Sequence, residues 1–328
     1  MRLATVFSDN MVLQAEKPLR IFGFGAGDIS LRLNGAMYES SFSGDKWVWE
    51  LPSQPYGGPY DMTVVMNGVE KIIKNVAFGD VFLCSGQSNM GFTISEEVGA
   101  APTVKDEKIR YYLSNMSSRD TEDTVRNWGV CLGDNVSAWS ALGLHIAENH
   151  RKKRDVYIGI LSCYRGCAAM RSWLPERKLD ESIFVPLELR HRDYRAVVEA
   201  NNDSYLYTHS FSPIVPLSFK SVVWYQGESD TTLAEAEIYT EMLARMIDAW
   251  REDLMDSNLP FVVIEICDFD PRDDEAWHKI QACQREVAGI RKNITVVTSK
   301  DVCEHTAIHP ANKEKLAAKV AAVIRDLR

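Results

Sequence analysis

Hydrophobic and polar positions follow two different periods along the chain. Through residue 75 short apolar runs alternate with turn residues: Ile29-Ser30-Leu31-Arg32-Leu33 is followed by Asn34-Gly35, and Met62-Thr63-Val64-Val65-Met66 by Asn67-Gly68. Both dipeptides tolerate the positive φ of a two-residue hairpin, so residues 1–75 predict a small β domain. From residue 76 onward the order becomes strand, loop, helix. Val81-Phe82-Leu83, Val156 to Leu161, Val222-Val223-Trp224, Phe261 to Ile264 and Ile294 to Val297 are short apolar runs of the kind buried on both faces of a parallel sheet. Between them, Ile238, Met242, Met246 and Trp250, with Leu243 and Ile247, form an i, i+4 stripe broad enough to pack on that sheet. Further helices are predicted over 137–153, with Ser137 as N-cap, over 274–291, and over 311–327 after Pro310. The pattern predicts a doubly wound α/β domain over 76–328. No linker rich in Pro, Gly or Ser precedes it, so the two domains are expected to pack closely.

Composition narrows the function classes. A chain of 328 residues with 45% hydrophobic and 25% charged positions is an ordinary globular protein with room for a sizeable core. Its 37 basic and 46 acidic residues leave a net charge of −9, which repels phosphate backbones and anionic lipid and suits a small neutral ligand better. The longest apolar runs fall short of the ~20 residues that cross a bilayer, and no apolar leader follows Met1. Seven cysteines, an odd set without paired CxxC spacing, predict reduced thiols and, with the missing leader, a cytoplasmic protein.

In open α/β sheets ligands bind outside the carboxyl ends of the strands, so the residues that follow each apolar run are the candidates for chemistry. They are Cys84-Ser85-Gly86-Gln87-Ser88-Asn89-Met90, Ser162-Cys163-Tyr164-Arg165-Gly166-Cys167, Tyr225-Gln226-Gly227-Glu228-Ser229-Asp230, and the stretch from Asp301 to Pro310 that contains Glu304, His305 and His309. A hydroxyl, small loops with free N–H groups, an amide and a histidine on one rim are the parts of an acyl-transfer site. Ser88 follows Gly86 as in half of a nucleophile elbow, with Met90 where the second glycine of G-x-S-x-G would stand. Spacing alone also allows an N-cap serine and an idle loop histidine. Gly23-x-Gly25-x-Gly27 lies between β-like runs with no helix after it and reads as strand and turn, not a nucleotide loop. Cys84 and Cys163 read as small buried residues, and the acidic loop Asp268 to Asp274 lacks the regular spacing of a calcium site.

Three dispersed blocks, Gly79 to Met90, Trp224 to Ser229 and Ile308-His309-Pro310, preceded by Phe7 to Gln14, together resemble the sialate O-acetylesterase-like carbohydrate esterases, a branch of the SGNH hydrolases. The resemblance runs through nearly the whole chain. It implies a flavodoxin-like three-layer α/β/α hydrolase domain behind the small N-terminal β domain, removing acetyl groups from sugar hydroxyls with no metal or other cofactor. Carried over by block, it makes Ser88 the nucleophile and His309 the general base. The oxyanion hole would be the backbone N–H groups of Ser88 and Gly166 and the side-chain amide of Gln226. Glu228 resembles a buried orienting carboxylate. Tyr207, Thr208 and His209 resemble a segment at the border of the family's substrate cleft.

The chain departs from the family in two places. The acidic residue common two or three positions before the histidine is replaced by Thr306 and Ala307. The third triad member is therefore expected to be Glu304, with Asp301 or a backbone carbonyl as alternatives. Cys163-Tyr164-Arg165-Gly166 stands where relatives carry a serine, a tryptophan and two glycines. The expected partner is an acetylated mono- or oligosaccharide, not nucleic acid or membrane. The rival readings are a non-catalytic sugar-binding protein on the same fold and an esterase of aryl or lipid esters.

Overall fold

The computed structural model describes residues 1–99, 101, 105–114, 127–191 and 199–327. In its N-terminal part β1 (Arg2–Leu3), β2 (Val12–Gln14), β3 (Leu19–Phe24), β4 (Gly27–Leu33), β5 (Ala36–Phe42), β6 (Lys46–Leu51) and β7 (Gly57–Met66) precede one long strand, β8 (Val69–Gly86). Both predicted hairpins form. Asn34 and Gly35 turn β4 into β5 with φ of 48° and 78°, and Asn67 and Gly68 turn β7 into β8 with φ of 49° and 79°. These are the paired positive angles that match the twist of antiparallel strands.

The five apolar runs are all parallel strands of one sheet: β8, β11 (Tyr157–Tyr164), β12 (Ser221–Tyr225), β13 (Phe261–Glu265) and β14 (Ile294–Thr298). Two strands that hydropathy does not announce, β9 (Asp106–Leu113) and the antiparallel β10 (Gly129–Cys131), complete the order β10-β9-β11-β8-β12-β13-β14. Arg110 in β9 breaks the apolar pattern, yet it is buried. Its guanidinium donates to the Asn10 carbonyl (3.0 Å) and Asn75 Oδ1 (2.9 Å), which ties β9 to the N-terminal part.

The boundary expected after residue 75 falls inside β8. The first half of that strand pairs with β7, and its second half pairs with β11 and β12 in the parallel sheet. Even β2 is a parallel neighbour of β8, Val12 facing Ala77. Polar clamps add to this shared strand: Tyr56 donates to Asp80 (2.8 Å), Lys17 pairs with Asp256 (2.7 Å), and Arg20 donates to the Leu254 carbonyl (3.0 Å).

Among the described residues the α-helices are α1 (Ser88–Gly91), α2 (Ala141–Arg151), α3 (Leu233–Asp253), α4 (Glu275–Ile290) and α5 (Glu314–Asp326). α2 packs with α5 and α3 with α4, giving the three α/β/α layers. The stripe on α3 is core: Trp250 stacks on Phe211 at 3.9 Å and meets Trp173 and Trp224 edge-on. Helix α2 starts later than its hydropathy suggests. Ser140 rather than Ser137 is the cap, its Oγ accepting the Gly143 N–H at 3.1 Å. Among the described residues no helix is long and apolar enough to cross a membrane.

Candidate active site

The carboxyl end of β8 turns sharply because of Gly86. Its φ is +139°, and a Cβ there would lie 2.0 Å from the Tyr225 carbonyl oxygen on β12, so a side chain is excluded both by conformation and by space. The Gln87 N–H then bonds that same carbonyl (3.0 Å), and Met90 and Gly91 return their N–H groups to the Gln87 carbonyl (3.0 and 2.9 Å). Ser88 is thereby the first helical residue of α1, half-buried at the strand end. Its N–H belongs to the first turn, where the helix itself supplies no acceptor. Gly166, in the loop after β11, abuts it: a Cβ on Gly166 would sit 3.9 Å from Ser88 Cβ.

His309 arrives from the loop between β14 and α5. Its Nε2 is 2.8 Å from Ser88 Oγ, a contact between residues 221 positions apart. Among the described residues no hydrogen bond reaches its Nδ1. Burial, then the positive charge of Lys313, holds the imidazole below its ordinary range, and Glu96 opposes them only in part. A histidine in that condition is neutral at pH 7 and able to accept a proton.

The carboxylates expected behind His309 lie elsewhere. Glu304 is exposed, and its Oε1 accepts the Ala311 N–H at 2.8 Å, so it braces the chain beyond the histidine rather than the imidazole. Asp301 pairs with Lys319 at 2.6 Å on the surface. Sequence proximity misleads here because the intervening residues form turns that aim both side chains towards α5 and its approach.

Gln226 also departs from its expected place as an oxyanion donor. It is fully buried, and its Nε2 donates to the Ala168 carbonyl (2.9 Å) and to Asp230 Oδ2 (2.5 Å), while its Oε1 accepts from Tyr239 (2.9 Å). Both amide protons are thus engaged by neighbours. Through Ala168 the side chain anchors the loop that carries Gly166. Thr208 and His209 line a cleft against the N-terminal sheet with Arg2, Phe24, Lys46 and Trp47. The seven cysteines are thiols outside any disulfide, and burial pushes the Cys84 thiol up to about 12 and the Cys163 thiol higher still, which leaves neither nucleophilic.

Beneath Ser88 and His309 lies a buried polar network that sequence reasoning found only at Glu228. Asn89 Nδ2 donates to Glu228 Oε1 (2.6 Å) and to the Ile308 carbonyl (2.9 Å), and its Oδ1 accepts from Lys313 Nζ (2.8 Å). Burial raises the Glu228 carboxyl, although the Asn89 bond and Lys313 oppose the rise. Glu97 closes the network from the other side. Its Oε1 accepts the Lys313 N–H and its Oε2 contacts His145 Nε2, both at 2.7 Å. Asn89 was visible as part of the first block but without a role. Lys313 gave no signal, since a lysine among Lys315 and Lys319 reads as a solvated helix start.

The profile of the carbohydrate esterase family described as sialic acid-specific acetylesterase matches residues 78–323. The sialate O-acetylesterase of Homo sapiens is 23% identical over 97% of this chain and 69% of its own length, and that of Mus musculus 22% over 97% and 72%. A carbohydrate acetylesterase from Xanthomonas citri superimposes with a TM-score of 0.86 at 25% identity, covering 99% of this chain and 74% of its own. The strand-end serine and the loop histidine meet within the matched segment, and the chain belongs to the sialic acid-specific acetylesterase family of carbohydrate esterases.

Proposed function

We propose that the chain removes acetyl groups from the hydroxyls of a mono- or oligosaccharide through an acetyl-enzyme on Ser88. The observation that carries this reading is the 2.8 Å contact between Ser88 Oγ and His309 Nε2. His309 Nε2 takes the hydroxyl proton as Oγ attacks the acetyl carbonyl carbon. The carbonyl oxygen becomes an oxyanion and accepts hydrogen bonds from the backbone N–H groups of Ser88 and Gly166, a role supported by the place of the Ser88 N–H at the start of α1 and the close approach of Gly166. Collapse breaks the bond to the sugar oxygen, which leaves with the proton held on His309. Water then gives a proton to His309 and its oxygen to the acetyl carbon, and acetate departs from Ser88 as the proton returns to Oγ. Among the described residues no carboxylate is hydrogen-bonded to His309, and Ser88 and His309 work as a dyad.

Acetate release from a panel of acetylated oligosaccharides, followed by mass spectrometry beside a chromogenic acetate ester, tests the proposal. Ser88→Ala is expected to lower kcat by about 10³-fold or more. Equal rates for both proteins would make the chain a sugar binder that has lost turnover. A preference for octanoyl over acetyl esters would move it to the lipid esterases.

A further inference from the structure

Lys313, the residue before α5, is buried with 0% of its surface exposed. Its ammonium donates to Asn89 Oδ1 and to the Pro310 carbonyl, each at 2.8 Å, and stands 4.7 Å from the centroid of the Phe92 ring. These three contacts belong to the two halves of the reacting pair. Asn89 adjoins Ser88, Pro310 adjoins His309, and the Phe92 ring lies 6.2 Å from the His309 ring. Burying a cation costs several kcal/mol unless geometry and hydrogen bonds compensate, so an ammonium at this junction marks a position where geometry is being held. In a triad the carboxylate on the imidazole does this work; here Glu304 is turned to Ala311.

We propose that Lys313 is the positioning residue of the base: by joining Asn89 Oδ1 to the Pro310 carbonyl it locks the His309 loop against the nucleophile turn. This rests on reading Ser88 and His309 as nucleophile and base. The device differs from a carboxylate in sign. A carboxylate behind an imidazole favours its protonated form, whereas an ammonium nearby disfavours it. The charged and titratable groups that face Lys313 are Glu228 after β12, Glu97 and Glu96 before α2, Cys267 after β13, Cys303 in the histidine loop, and His309 itself. Burial, opposed by Cys303, Glu228, Glu97 and Cys267, brings the ammonium down to about 8, so it is still charged where the imidazole titrates.

The test compares wild type, Lys313→Met and Lys313→Arg by steady-state kinetics and by NMR titration of His309, its signal assigned with His309→Asn. Lys313→Met is expected to lower kcat by about 10²-fold with KM within about threefold, the pattern of a misplaced base. Its His309 midpoint rises towards about 6.5, the ordinary value, whereas Lys313→Arg, which keeps the charge, retains the wild-type midpoint and recovers part of the rate. An unmoved midpoint in the folded variant would show that the ammonium does not act on the imidazole; that result, or a kcat within twofold of wild type, overturns the proposal. Should Lys313→Met fail to fold, Lys313→Gln, neutral but able to donate one hydrogen bond, is judged by the same midpoint. A wild-type protein that releases no acetate from any ester overturns the esterase reading alone, because the NMR midpoint reports the lysine without turnover.

Discussion

Replacing Asn89 by alanine removes the amide that links a buried carboxylate to a buried ammonium. Three hydrogen bonds disappear: to Glu228 Oε1 at 2.6 Å, to the Ile308 carbonyl at 2.9 Å and from Lys313 Nζ at 2.8 Å. Two of them involve charged groups, each worth about 1.5–3 kcal/mol, and the third is a neutral bond worth about 1 kcal/mol. Protonation of Glu228, whose carboxyl is already raised, relieves part of the loss. The net cost is about 3–5 kcal/mol, the range for breaking one side of a buried charged pair. An unfolding entropy of about 2.1 cal/mol/K per residue over this chain gives about 0.7 kcal/mol/K, so Tm falls by roughly 4–7 °C. Scanning calorimetry measures that shift, and an acetate-release assay on the same sample reads the accompanying loss of kcat as the Ile308–His309 segment comes free. Asn89→Asp keeps the acceptor for Lys313 but sets a second carboxyl against Glu228, so its deficit shrinks as pH falls and one carboxyl is protonated. A Tm within 1 °C of wild type for Asn89→Ala would refute the claim that this amide holds the site together.

Two other perturbations separate roles that the fold places close together. Gln226→Ala is expected to lower thermal stability and kcat together, since its amide ties Ala168 to Asp230; a loss of about 10²–10³ in kcat at unchanged Tm would instead identify a direct oxyanion donor. At His145 burial alone would lower the imidazole pKa, but bonds to Glu148 (3.0 Å) and Glu97 (2.7 Å) raise it to about 9. A folded pKa above the unfolded value of about 6.5 gives stability that is whole below pH 6.5 and is lost as pH rises through about 9, on the order of 3 kcal/mol. His145→Gln should remove that pH dependence from denaturant unfolding between pH 6 and 9, and a variant with the wild-type slope would show that the imidazole is not charged in the fold.

The fold was legible where apolar period and turn chemistry agreed. Both Asn-Gly hairpins form, and all five apolar runs are parallel strands. The departures have a common cause, which is tertiary satisfaction of groups that look out of place locally. Strand β9 was hidden because Arg110 interrupts its apolar run, and a guanidinium becomes tolerable inside only when the carbonyls of Asn10 and Asn75 receive it. The domain boundary was drawn where the period changes, yet a strand can change neighbours without breaking. Strand β8 pairs with β7 as far as Phe78 and with β11 from Gly79, and Asn75, at φ 58°, kinks the strand without ending it, so hydropathy marks a change of environment inside one strand.

At the candidate site, residue type located the serine and the histidine that meet and, Glu228 apart, missed the groups that pack around them. A serine after Gly86 and a histidine before Pro310 are positions that backbone geometry constrains, and Gly86 can be read in advance because φ of +139° beside the Tyr225 carbonyl leaves no room for a side chain. Orientation depends instead on which polar groups meet across long separations. Glu304 is five residues from His309 and braces Ala311, whereas Glu228 and Lys313 come from different loops and meet through Asn89. No local pattern distinguishes a lysine that is solvated from one whose ammonium closes a buried network; the difference is made by a phenylalanine and an asparagine arriving from elsewhere, which meet the lysine beside the carbonyl of Pro310. It follows that the loss of the acidic residue near the histidine need not remove turnover. If the loop is held by Lys313 and the imidazole is kept neutral by burial, the reaction requires of His309 only that Nε2 face Ser88 Oγ, and that contact is present at 2.8 Å.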